Sequence, residues 1–582
     1  MFETILSWIA IMYFLLGNGT VIALIIKKVF KCELKNFDAI LVTGIAFCTV
    51  YAEIWSVLFP VNTISLLFVL IMATIGFGII IRKKQYKDID IKSRLNNPIT
   101  YLTLIIIFGG AALTTVIPRD WDSYNYHAQS IRWITEYGVV KGLGNLHTRF
   151  AYNSAFLCLQ ALFSFHSFAN KSMHSLNGLF WVFFTIWNIA NIRFIREKKI
   201  YTSDLLRFAF LFILFRYDTF YRLSSPNTDF LPACLCAYCL INWCTYIEKN
   251  EQSIERRGLN SVLAVFIITV KLSAVPASLL LIWPLIKYIK EKKYDMIIKF
   301  AITDFLIVIP YCIRSFIISG YIVYPVVFTA TGVDWQIPLF TAQTDAYAIK
   351  QYARNEIGFG NLDTNERFLF GIIRGVFANK LLLVGVIAAI IIILYILYKI
   401  YKKQIDEKCF LKSIAVAALL FFLFSAPSLR FGMWWVVFAI AISIDFVLPY
   451  INKRLDKAMH YLKVIVVMGG LLGTVGVCLI CVRKLKNRTV ERDPGFSLLR
   501  AADYYDMDAC NASYDINGIS FYYLTPNPTG KNGTNGYRGF PGTECRDTLE
   551  KIKMYTDDLA DGFAVKDAYR NVKYDFQGVI VE

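Results

Sequence analysis

From Ile5 to Ile26 the chain carries no charged residue, and a helix of that length crosses the ~30 Å hydrocarbon core of a bilayer. Similar runs recur at Phe37 to Phe59, Ile64 to Ile81, Ile99 to Ile117, Met173 to Ile192, Leu205 to Tyr221, Phe230 to Ile247, Ile297 to Ile318, Leu381 to Tyr398, Ile414 to Ser425, Met433 to Leu448 and Val464 to Val482. Hydrocarbon leaves a backbone no partner but itself, so such runs must be helices. With 56% hydrophobic and 18% charged residues, an ordinary soluble domain is excluded. The expectation is an all-α polytopic membrane protein.

The net charge of +18 invites a nucleic-acid reading, but the basic residues lie in short clusters between the apolar runs. These are Lys27 to Lys35, Arg82 to Arg94, Arg193 to Lys199, Lys249 to Arg257, Lys287 to Lys299, Lys399 to Lys412 and Lys453 to Lys463. Clusters spaced this way fit positive-inside topology and leave no nucleic-acid footprint. With Lys27 to Lys35 inside, the N-terminus lies outside, and the first run, lacking a small-residue cleavage site, reads as a retained span. The stretch Leu259 to Ile289 is interrupted by Lys271, Ser273 and Pro276. Splitting it into two helices keeps every later basic cluster inside and brings the count to about fourteen spans.

The expected organisation is N-terminal transmembrane helices over 1–117, a first large outer loop with interfacial helices over 118–172, and central transmembrane helices over 173–319. An outer loop over 320–380 and C-terminal transmembrane helices over 381–482 follow. From Arg483 the composition turns to Asn, Asp, Gly, Pro and Tyr, and Phe521 to Leu524 and Val579 to Val581 read as strands. Residues 483–582 are expected to form a small α+β extracytoplasmic domain. Cys510 and Cys545 are the two cysteines of this tail, and a disulfide between them is plausible outside the cytoplasm. Cys234, Cys236, Cys239 and Cys244 suit buried packing instead. No Cys/His spacing supports a metal.

Chemistry concentrates where Asp120-Trp121-Asp122 follows an apolar helix directly, because an ionisable group at such a boundary is costly unless it has a function. The following Ser123 to Tyr137 has apolar residues near helical spacing and is expected to form an amphipathic helix on the bilayer surface. The acid pair, Tyr126-His127 and a helix ending in Gly138 resemble the first outer loop of the GT-C glycosyltransferases, and most closely the bacterial mannosyl- and aminoarabinosyltransferase-like branch with Trp-Asp-Ser-x-x-Tyr-His. GT-C proteins usually present the acid pair after their first helix, whereas here three further spans come before the one that it follows.

The resemblance implies an inverting transfer of a sugar from a polyprenyl-phosphate donor. Its acceptor, a glycan, lipid or protein, would be presented on the outer face of a bacterial inner membrane. It marks Asp122 as the catalytic base, with Asp229 orienting the acceptor or supporting the base, and Asp120 beside it. Lys271, Arg314 with Tyr324, and Arg430 resemble other outer-face elements and would hold phosphate or acceptor or form salt bridges, with Tyr126 and His127 lining the site. A divalent metal is not supported. Blander roles stand beside these: Lys271 and Arg314 also suit snorkelling to the interface, Trp121 and Trp133 an aromatic belt, and Asp345, Glu356 and Asp363 a solvated loop. A transporter or flippase, which would need ionisable groups near the midplane, and a polymerase of lipid-linked surface polysaccharide are the alternative functions.

Overall fold

The computed structural model describes residues 1–83, 98–116, 118, 120–166, 172–358, 368–453, 476, 497–501, 512–523, 539–544 and 546–581. The span expected over 464–482, apart from residue 476, lies outside these residues, as do Asp363, Cys510 and Cys545.

Eight helices among the described residues are long and apolar enough to cross a membrane. They are Phe2–Phe30, Phe37–Leu58, Thr63–Arg82, Phe230–Glu248, Leu272–Lys290, Tyr294–Ser319, Lys380–Tyr401 and Leu429–Phe446. Thr100–Thr114, Leu176–Ala190 and Leu369–Ala378 are apolar but shorter. Large apolar side chains such as Ile71, Ile75, Ile302, Phe305, Ile390 and Leu394 point away from the protein, a surface that lipid rather than water satisfies. The chain is a multi-pass membrane protein. Among the described residues these eight do not confirm the expected fourteen: several of the shorter runs form helices below the length of a full crossing, and the run over 464–482 lies outside the described residues apart from residue 476.

Where the helices begin and end follows from local chemistry. Asn62, Ser253, Asn379, Asp406 and Ser428 each accept a backbone N–H of the helix that they precede, which satisfies donors that the first turn leaves unpaired. The interruption expected at Lys271 is present: Ile254–Val270 ends there, the backbone turns extended (φ −157°, ψ 127°), and Leu272–Leu281 resumes as a 3-10 helix containing Pro276.

Contacts sort the loops into two ends. At one end Tyr238 donates to Asp38 (2.8 Å), Arg193 pairs with Glu248 (3.1 Å), Arg257 pairs with Glu407, and Phe30 stacks on Phe300. The basic clusters from Lys27, Arg193, Lys249, Lys287 and Lys399 therefore gather there. At the other end Val61 N–H donates to Ile134 C=O (3.0 Å), Ser154 Oγ to Val270 C=O (2.7 Å), and the terminal amine of Met1 to Ser497 C=O (2.9 Å).

The tail joins this second end. Strands Ala512–Ile516 and Ile519–Tyr523 form a hairpin whose turn, Asn517-Gly518, has positive φ at both residues (55° and 81°), the geometry that Asn-Gly favours. Gly542–Thr543 adds in parallel, and Ile552–Met554 pairs antiparallel with Phe563–Val565. The strand expected at Val579 to Val581 is only a bridge between Tyr574 and Ile580.

Ser123 to Tyr137 is helical, but it does not lie on an open surface. Ile131 and Trp133 are fully buried, Gln129 Nε2 donates to Gly539 C=O (3.0 Å), and Phe540 packs 4.7 Å from Trp133 and beneath Arg132. The tail covers the polar face that was expected to meet headgroups, and Trp133 is a core residue rather than a belt anchor.

Candidate active site

Ser123–His127 is a turn of π-helix, closed by Ala128 N–H donating to Ser123 C=O, before the α-helix Ala128–Glu136 begins. Such wide turns are frequent at functional sites because they re-aim side chains. Here the turn sits directly after Asp122.

A second loop meets it. In Ser225-Pro226-Asn227-Thr228-Asp229, Asn227 N–H donates to Ser225 Oγ (3.1 Å) and Asp229 N–H to Asn227 Oδ1 (2.8 Å), turns that Ser and Asn form with their own backbone. Asn177 Nδ2 ties down the carbonyls of Ser225 (2.8 Å) and Asn227 (2.9 Å). The loop therefore presents Asn227 Nδ2 to Asp120 (2.6 Å) and Ser225 Oγ to Ser123 Oγ. Asp120 anchors one acidic loop to the other. Asp229, at the mouth of helix Phe230–Glu248, is left facing the cations.

Arg430 occupies the centre. Its guanidinium bonds Asp122 through one nitrogen and Asp229 through another, and Lys271 closes on Asp229 from the break between its two helices. Ser428 Oγ caps the first turn that carries Arg430 and donates to Glu356, so Glu356 has a partner rather than a free place on a solvated loop. Arg149 Nη1 approaches the other Asp122 oxygen at 3.7 Å, and its guanidinium lies 5.6 Å from the Tyr126 ring centre. Burial alone would raise the Asp122 carboxyl; Arg430, with His127 and Arg149, outweighs it and holds the group below its ordinary value. His127 is fully buried, neither ring nitrogen has a hydrogen-bond partner among the described residues, and burial lowers its pKa to about 4.

Beside the ion pairs lies a cleft. Its lining includes the cations Arg222, Lys271 and Arg430, the carboxylates Asp218 and Asp229, and the apolar Phe230, Met433, Trp434 and Trp435. Arg222 has only the distant Asp218 (3.9 Å) as an ion-pair partner among the described residues. This is a setting for an anion attached to an apolar chain.

Five of the residues singled out from the sequence therefore converge directly: Asp120, Asp122, Asp229, Lys271 and Arg430. Tyr126 and His127 flank them. Arg314 does not join; it is buried elsewhere, donating to Asn153 Oδ1 (3.1 Å) and Ser56 Oγ. Tyr324 donates to Asp345 (2.9 Å), which also accepts from Tyr152 (2.9 Å). Asp345 is thus a buried acceptor (2% exposed), not a residue of a solvated loop, because two tyrosine hydroxyls replace its water. Arg149, Arg222 and Glu544 were not anticipated. Arg222 follows a Tyr-rich helical turn and could have been suspected from its nearness to Asp229, whereas Arg149 and Glu544 carry no local signal. Among the described residues no group of three or more His, Cys, Asp or Glu side chains is placed to hold a metal ion.

No curated protein and no solved structure matches the chain. Residues 1–437 match a family model, and that stretch holds every residue of the ion-pair set from Asp120 to Arg430. The chain belongs to the family described as Domain of unknown function (DUF8201).

Proposed function

We propose that this chain is a glycosyltransferase of a bacterial inner membrane, moving a sugar from a polyprenyl-phosphate donor to an acceptor hydroxyl on the outer face, with inversion at the anomeric carbon. The observation that carries this reading is Arg430 shared between Asp122 and Asp229 beside a cleft lined by three cations, two carboxylates and a group of aromatic and apolar side chains. A donor phosphate entering that cleft competes with the carboxylates for Arg430 and takes Lys271 and Arg222 as further counter-charges. Arg430 drawn toward phosphate frees an oxygen of Asp122.

The chemistry then divides among the residues in hand. The acceptor oxygen bonds to the anomeric carbon as its proton passes to Asp122, and the bond from that carbon to the phosphate oxygen breaks with its electron pair leaving on phosphate. Arg430, Lys271 and Arg222 stabilise the charge that develops there. Asp229 keeps Lys271 and Arg430 aimed, and the apolar walls suit the prenyl chain.

Sugar release from a panel of polyprenyl-phosphate sugars by the purified protein tests this. Wild type is expected to turn over at least one donor. Asp122→Asn is expected to lose at least about a hundredfold in rate, the usual contribution of a general base, while still binding donor. Equal rates in both would overturn the assignment of Asp122. Silence toward every donor would favour transport or polymerisation of a lipid-linked saccharide.

A further inference from the structure

The second arginine beside Asp122, Arg149, also faces a residue of the C-terminal domain. Glu544 follows the strand Gly542–Thr543, which is pinned to the outer loop by Thr543 Oγ1 donating to Leu146 C=O (2.7 Å). Its Oε2 lies 3.8 Å from Arg149 Nε and 3.5 Å from His147 Nε2. Arg149 in turn reaches Asp122 at 3.7 Å. The guanidinium stands almost equally far from two carboxylates, and its buried Nε has no hydrogen-bond partner among the described residues. Glu544 thus draws Arg149 from the side opposite to Asp122's pull, while the rings of Tyr126 and Tyr152 lie beside it.

We propose that Glu544 is a positioning residue that restrains Arg149 and so leaves Asp122 with one tightly bound cation, Arg430, instead of two. A carboxylate closed upon by two guanidiniums is a weak base, since each opposite charge within about 4–6 Å favours its ionised form. The C-terminal domain thereby sets the basicity of a residue in the membrane-embedded family region. The inference rests on reading Asp122 as the base. The groups facing Asp122 are Arg430, His127, Arg149, Tyr126 and Lys271; those facing Arg149 are Tyr152, Tyr126, Glu544 and Asp122; and those facing Glu544 are His147, Arg149 and, farther off, Asp345. Of these only Arg149 touches both acids.

Infrared titration of the full chain reads the effect without any turnover. The protonated-carboxyl band that disappears in Asp122→Asn reports Asp122, and the pH at which it grows in is followed in each variant. In Glu544→Gln, which keeps size and removes charge, the band is expected to appear about one pH unit lower than in wild type. In Arg149→Gln it is expected at higher pH, and adding Glu544→Gln to that variant is expected to change nothing. Glu544→Asp, the mildest substitution, is expected to shift the band in the same direction by less, and serves if Glu544→Gln does not fold. An unmoved or raised band in Glu544→Gln, or an equal shift with and without Arg149, would overturn the proposal. A wild type inactive on every donor would sink the glycosyltransferase reading while leaving this titration decisive for Glu544.

Discussion

Histidine changes charge closest to neutral pH, so its burial has consequences that an assay can reach. His127, His147 and His174 are 0%, 5% and 0% exposed, and burial is the main cause that brings their pKa values from the ordinary 6.5 to about 4, about 3 and about 3. Between those values and 6.5 the unfolded chain binds protons that the folded chain refuses. Stability therefore falls as pH drops through this window, by on the order of 2 kcal/mol for each histidine between pH 6.5 and 5. Asp122 acts in the same direction in stronger acid: its depressed pKa stabilises the fold above the ordinary carboxylate value, and that contribution is lost as pH falls through and below it. The melting temperature in detergent is accordingly expected to fall steadily from pH 7 to 5, and His127→Asn to flatten the slope. A flat profile in wild type would show that these rings take up protons in the folded state.

The same outer loop is held to the tail by two glycines. Gly142 and Gly562 both have positive φ (66° and 89°), and a Cβ at either would sit about 2 Å from the other strand's backbone: 1.9 Å from Phe563 O and 2.1 Å from Lys141 O. Between them Phe563 N–H donates to Lys141 C=O (2.9 Å). Gly142→Ala or Gly562→Ala is therefore expected to destabilise the docking by at least about 1–3 kcal/mol, from strained backbone and the broken contact together. Amide exchange over 139–152, faster in either variant and unchanged over Phe2–Phe30, would mark the loss as local. At this level the sequence was readable where a signal is local. Apolar runs marked the helices, Lys271 and Pro276 marked the break, and Asp122, Asp229, Lys271 and Arg430 announced themselves by sitting at helix ends. The docking was not readable, since the amphipathic stretch Ser123 to Tyr137 would look the same beneath a protein domain as on a bilayer. Arg314 and Tyr324 share the character of the site residues and differ only in their partners, Asn153 and Asp345, which a linear pattern does not disclose.

For the molecule as a whole, the decisive arrangement is that its charges are sorted by end. The basic clusters gather around Arg193–Glu248 and Arg257–Glu407, while Asp120, Asp122 and Asp229 gather with the tail at the opposite end. Under the proposed function, the retention of positive charge on the cytoplasmic side of a bacterial membrane would turn the acid cluster and tail outward. Lys402, beside the basic end, and Asp557, on the tail, are both exposed, and each can be replaced by cysteine in a chain whose native cysteines have been removed. On intact spheroplasts a membrane-impermeant maleimide is expected to label Asp557→Cys and to spare Lys402→Cys until the membrane is opened. The reverse pattern would turn the site toward the cytoplasm, where a nucleotide-linked sugar is as accessible as a lipid-linked one, and would remove the reason for an external acceptor. Labelling of both positions before lysis would mean that the two ends do not lie on opposite sides, and the eight apolar helices would then need another solvent than a single bilayer crossing provides.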